Sequence, residues 1–171
     1  LDMQAMYDLV GDKIQEIFDA QVVDIGIVDQ DTGLVRFPYT IERGVRFPDE
    51  PMELIGFRKH VIETDQPLLI DHDAEARNAE FGNPAVLQGE PPKSTLWVPL
   101  HAGDRVAGVI SRQNLDMEYA FNEADVRVLS TMAASLSVAL ENARLVDETR
   151  QRNAELAIIN PFDFFVDPYA E

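Results

Sequence analysis

The sequence predicts an α+β domain, a central antiparallel sheet of five to six strands with N- and C-terminal helices packed on one face. Three observations predict it. The elements follow in the order helix, strand pair, irregular helical middle, strand pair, long helix, so each strand pair is local and antiparallel. The chain has 171 residues, enough for one core without staples. Its hydrophobic content of 46% and aromatic content of 8% mark a folded chain in spite of a formal charge of −17.

Residues 1–21 hold the first helix. Met6, Leu9, Val10, Ile14, Ile17 and Phe18 recur at spacings of three and four, with Asp8, Asp12, Lys13, Gln15 and Glu16 on the other side. Residues 22–121 hold the sheet and the irregular middle. Val22 to Val28 reads as a strand ending in the turn-forming run Asp29-Gln30-Asp31-Thr32-Gly33, and Leu34 to Ile41 returns as its hairpin partner. Pro38 removes a ladder donor from that partner, which predicts an edge or a bulge. Glu42 to Pro51 reads as a loop, Ile55 to Glu63 as a short helix and Leu68 to Ile70 as a short strand. Asp71 or Asp73 is expected to cap a helix through Ala74, Ala76, Ala79 and Phe81. An Asn-Pro, two glycines and a Pro-Pro make Gly82 to Lys93 a long exposed loop. Ser94 to His101 and Arg105 to Asn114 form a second hairpin across Ala102-Gly103-Asp104.

Residues 122–159 read as one helix, opened by a box-like cap of Asn122 and Asp125 and uninterrupted until Pro161. At ~1.5 Å per residue it runs on the order of 50 Å, longer than one small core covers. Leu129, Met132, Leu136, Ala139, Ala143 and Val146 step along it as a coiled-coil seam would, with Val128, Val138 and Leu145 off that seam. A parallel homodimer through the first and last helices is the expectation. Residues 160–171, with Pro161 and four aromatics, break from this pattern and read as a linker or an added tail.

Several classes are closed by composition. With 31 Asp+Glu against 14 Lys+Arg, nucleic acid and anionic membrane are repelled. No apolar run reaches the ~18 residues of a membrane span, and no signal peptide opens the chain. The lack of cysteine excludes disulfides, thiolate catalysis and cysteine-ligated metal. The carboxylates are scattered singly, with no Ser-His-Asp ordering and no glycine-rich phosphate loop, so catalysis is not expected. A chain opening on Leu1 reads as part of a longer cytoplasmic protein.

The run Ser94-Thr95-Leu96-Trp97-Val98-Pro99-Leu100, the strand Gly108-Val109-Ile110-Ser111, and the stretch from Phe121 through Asp125 to Ala139-Leu140-Glu141-Asn142-Ala143 together resemble a GAF domain. Ile55-Gly56 and Pro67-Leu68-Leu69-Ile70-Asp71 add to the likeness, which spans residues 1–157. The resemblance implies a sensory and regulatory module of a signalling protein such as a cyclase or histidine kinase. It also implies a small-molecule pocket on the sheet face away from the terminal helices, and an output domain that receives the signal. Cyclic-nucleotide-binding members carry an Asn-Lys pair, a spacer, Phe, three residues and Asp-Glu. Asn114, Phe121 and Asp125 match, but Leu115 replaces the lysine and Val126 the glutamate, so the family's lysine–aspartate pair is lost and cyclic nucleotides are not the implied ligand. Pigment attachment and the methionine-sulfoxide reductase chemistry of the family rest on cysteine, which this chain lacks. The cofactor and the ligand both stay unidentified. The competing reading is a ligand-free module for dimerisation and spacing.

Strand alternation puts Ser94, Leu96, Val98 and Leu100 on one face and Thr95, Trp97 and Pro99 on the other. In the following strand Val106, Gly108, Ile110 and Arg112 oppose Ala107, Val109, Ser111 and Gln113. Tyr39, Arg58, Phe81, Trp97, Ser111 and Gln113 are the candidate ligand-binding residues, supplying stacking and hydrogen bonds to a planar ligand. Trp97 reads equally well as core. The basic residues of Glu42-Arg43-Gly44-Val45-Arg46 and Arg58-Lys59 either fix an anionic ligand or neutralise nearby Asp49, Glu50 and Glu53. His60, His72 and His101 lack the spacing of a helical metal site, and Asp71-His72-Asp73 reads as a capping loop.

Overall fold

A computed structural model describes residues 2–18, 20–83 and 89–158. The tail at 160–171 and the centre of the expected loop at 82–93 lie outside the described residues. The elements are α1 (Met3–Phe18), β1 (Val22–Val28), β2 (Val35–Glu42), β3 (Val45–Arg46), α2 (Gly56–Thr64), β4 (Leu68–Ile70), α3 (Ala74–Glu80), β5 (Ser94–Ala102), β6 (Arg105–Asn114) and α4 (Glu123–Ile158). The six strands make one antiparallel sheet in the order β3-β2-β1-β6-β5-β4. No helix among the described residues is long and apolar enough to cross a membrane.

The sheet separates two cores. On one face α1 and α4 close over Val23, Ile25, Tyr39, Ile41, Leu96, Val98, Leu100 and Ile110. On the other, α2 packs Phe57 and Val61 against Ile70, Trp97 and Val109. The alternation expected for β5 and β6 therefore holds, because both strands run unbroken from Ser94 to Leu100 and from Gly108 to Asn114.

In β2 the alternation fails. Ile25 pairs with Tyr39 and Ile27 with Arg36, so Phe37 and Pro38 together stand opposite the single residue Gly26. Pro38 thus sits in a bulge, and every side chain after it changes face. Tyr39 consequently lies under α1, fully buried beside Gly11, and donates a hydrogen bond of 2.8 Å to Asp12. Burial, and then the hydrogen bond to Asp12, hold its phenol well above the ordinary value. The placement of Tyr39 among pocket residues is corrected accordingly.

Three smaller expectations are also corrected. The loop at 42–51 contains a two-residue strand, β3, joined to β2 by Arg43 and Gly44, both at positive φ. Asp73 stands at the start of α3 in a left-handed conformation and makes no side-chain cap, while Asp71 binds His72 instead. Asp49 pairs with Arg36 rather than with the expected basic cluster.

At α4 the box is as expected. Asn122 Oδ1 accepts from the N–H groups of Ala124 and Asp125, and Asp125 Oδ2 accepts from that of Asn122. Leu129, Ala133 and Leu136 are its buried residues, facing the sheet of their own chain. Two residues of the expected dimer seam, Leu129 and Leu136, are thereby used up internally. Val146 of that seam stays exposed, as do Val138 and Leu145 on the side opposite the sheet, and no residue of the helix after Leu136 is buried.

Between α1 and α4 lies Arg112 of β6. Its guanidinium is stacked between the rings of Phe18 and Phe121, at 4.1 and 4.6 Å. It donates to the Phe18 carbonyl at 3.0 Å and faces Asp125 at 3.6 Å. Burial pushes this guanidinium down from its usual value, with Asp125 opposing. The partner of Asp125 that Leu115 cannot supply therefore comes from three positions earlier, on the strand itself.

Candidate functional site

A cavity of about 150 Å³ opens between the sheet and the α2–α3 side of the fold. Its aromatic wall is Phe37, Phe47, Phe57 and Trp97, and its polar wall includes Asp24, Arg58, Thr95 and Gln113. The strands contribute these groups because β1, β5 and β6 place alternate residues on this face. The cavity's polar centre is Asp24. A carboxylate between Val23 and Ile25 in a central strand is forced into the interior, where it must be paired. Arg58 Nη2 donates to it at 2.9 Å, Ser111 Oγ at 2.7 Å and Gln113 Nε2 at 3.4 Å.

Arg58 reaches Asp24 from α2 across two aromatic faces, with its guanidinium carbon 4.8 Å from the Phe37 ring and 5.0 Å from that of Trp97. Its Nε passes over Gly26, where a Cβ would stand 3.1 Å away, and has no hydrogen-bond partner. Trp97 Nε1 is satisfied by Thr95 Oγ1 at 2.8 Å, two residues along the same strand face.

Of the candidate residues named from the sequence, Arg58, Trp97 and Gln113 line the cavity. Ser111 is fully buried and is joined to the cavity wall through Asp24 and Gln113, donating to the first at 2.7 Å and accepting from the second at 3.1 Å. Phe81 stands behind, its ring packed edge-on against Phe57 and His60. Tyr39 is on the far side of the sheet. Sequence reasoning missed Asp24, Phe37, Phe57 and Thr95; for Asp24 the signal was a lone acid inside an apolar strand.

The other basic residues of the two clusters singled out in the sequence are occupied. Arg43 bridges Glu90 at 2.8 Å and Asp116 at 2.7 Å, Arg46 meets Asp8 at 3.0 Å, and Lys59 lies 3.8 Å from Glu63. His101 pairs with Asp65 at 2.7 Å, and the His72 ring stacks on Tyr119. Among the described residues, no group of three or more His, Asp or Glu side chains is placed to hold a metal ion.

A six-stranded antiparallel sheet with terminal helices on one face and a helix-walled cavity on the other defines the PAS- and GAF-like class of α+β domains. Comparison with known proteins narrows this. The family model described as GAF domain matches residues 1–141, and the chain belongs to that family of sensory domains of signalling proteins. Among solved structures, a methyl-accepting chemotaxis protein, residues 122 to 287, superposes with a TM-score of 0.70 at 19% identity, over 84% of this chain and 90% of that one. The blue-light absorbing form of the PixJ GAF domain of Thermosynechococcus elongatus gives 0.69 at 17% identity, over 88% and 92%. Free methionine-R-sulfoxide reductase of Neisseria meningitidis, in complex with its substrate, gives 0.70 at 17% identity, over 85% and 81%. At such identities the likeness is one of fold.

Proposed function

We propose that this is a non-catalytic sensory domain that binds a small molecule in the Asp24–Arg58 cavity and passes the event through α1 and α4 to an output domain of a cytoplasmic signalling protein. The observation that supports it is the alternation along β6. Ser111 and Gln113 hold Asp24 on the cavity face, and Arg112 between them holds Phe18 and Asp125 on the helix face. A ligand that favours one position of Asp24 acts on the strand that anchors both helices, and it shifts the output only as far as its affinity differs between the two arrangements. The absence of cysteine supports the non-catalytic reading against the reductase chemistry of the family.

Native mass spectrometry of the domain purified from cells tests this, followed by hydrogen exchange with and without the retained compound. The expected result is one bound small molecule whose addition slows exchange in α2 and in the first turns of α4. No retained species, or an effect confined to α2, would favour the ligand-free structural module.

The same reading includes a parallel dimer. Its support is the exposed apolar set Val138 and Leu145 on α4, with Leu9 and Ile17 on α1, all of them 47% exposed or more. Replacing Val138 and Leu145 together by aspartate is expected to leave the fold intact and to turn a sedimenting dimer into a monomer at about 50 μM. Unmodified protein that is already monomeric there would count against it.

A further inference from the structure

We infer that the cavity accepts a small organic cation, a single ring or compact apolar body carrying a protonated amine or guanidinium, and turns away carboxylates and phosphates. The inference rests on the reading of this cavity as the ligand site. Three features point the same way.

The first is the wall. Phe37, Phe47, Phe57 and Trp97 surround about 150 Å³, room for one ring with the remainder of the ligand reaching the open side. Aromatic faces present negative potential and attract cations. The second is the charge of the lining. Asp24, Glu42, Glu75 and Glu90 stand against one guanidinium, that of Arg58, which Asp24 already holds at 2.9 Å. Arg43, outside the lining, bridges Glu90 to Asp116. Among the described residues no ion pair holds Glu42 or Glu75, so an anion would pass two uncompensated carboxylates to reach a cation that is already paired, in a chain whose formal charge is −17.

The third feature is Arg58 itself. It shows this face already working as a cation site, with two rings beneath the guanidinium and a carboxylate behind it. A ligand cation meets the same chemistry one step outward, with its ring against Phe47 and Phe57 and its charge towards Glu42 and Glu75.

Three probes of nearly equal size separate charge from shape: 2-phenylethylammonium, 2-phenylethanol and phenylacetate, titrated calorimetrically into the whole chain at low salt. The ammonium is expected to bind about tenfold more tightly than the alcohol, with phenylacetate weaker than both. Glu42→Gln with Glu75→Gln, neither site being buried, is expected to cut that preference to about threefold. Phenylacetate binding as well as the ammonium, or a preference untouched by the double change, overturns the charge assignment and leaves the cavity a binding site. Failure of all three probes overturns the cavity reading as well.

Discussion

Gly108→Ala is expected to cost about 3 kcal/mol or more and to move the urea midpoint down accordingly. Gly108 lies in β6 at the centre of the sheet, just past a bulge. Leu100 pairs with Gly108 and His101 with Val106, which leaves Ala107 unmatched. A Cβ at Gly108 would stand 2.2 Å from the carbonyl oxygen of Gly26 in β1 and 2.9 Å from Ile27 Cδ1. The first of these is backbone, bound into the β1–β6 ladder, and cannot rotate away. The ladder must open or the bulge must move, and either one disturbs the two strands that bear Asp24 and Ser111. A loss under 1 kcal/mol by equilibrium denaturation would show that the two strands part without cost.

Asp24→Ala is the second large effect, about 3–5 kcal/mol, because it strips a buried cation of its partner. Asp24 is 6% exposed, and the Arg58 side chain is 14% exposed. Without the carboxylate, Arg58 is left between Phe37 and Trp97 with its charge unanswered, and Ser111 Oγ loses its acceptor. Arg58→Met should cost less, about 1–3 kcal/mol, since Ser111 and Gln113 still donate to Asp24. The double variant Asp24→Leu, Arg58→Met removes both charges and is expected to be more stable than Asp24→Ala alone. A double variant less stable than Asp24→Ala, with a loss near the sum of the single losses, would mean that the pair is not coupled as the distances require.

How far the sequence reveals this fold depends on where the chain keeps its period. β5 and β6 keep a period of two through the cavity face, so Trp97 and Gln113 are legible there from alternation alone. β2 does not, and Pro38 marks the place. A proline in a strand announces a bulge, but the step from bulge to reversed facing requires the register with Gly26, which only pairing supplies. That step decides Tyr39. α4 poses a different difficulty, because its apolar residues occupy two sides of a helix and spacing alone does not say which side meets the sheet. Leu129 and Leu136 do; Val138 and Leu145 do not. The Asn122–Asp125 box was legible because its two halves are three residues apart and need nothing distant. Arg112 and Asp125, thirteen positions apart in chain order, needed the fold to meet.

The unburied end of α4 has a mechanical consequence. From Glu141 to Ile158 the helix runs without a buried residue, a free length of roughly 27 Å at ~1.5 Å per residue. A rod fixed at its root and free beyond it works as a lever. A tilt of about 5° at Glu141 carries Ile158 sideways by roughly 2 Å, while atoms beside the fulcrum move by only a few tenths of an ångström. Displacements of that smaller size are what one side-chain rearrangement around Arg112 yields. The far end of α4 can thus shift by about the radius of a methyl group with no large motion inside the domain.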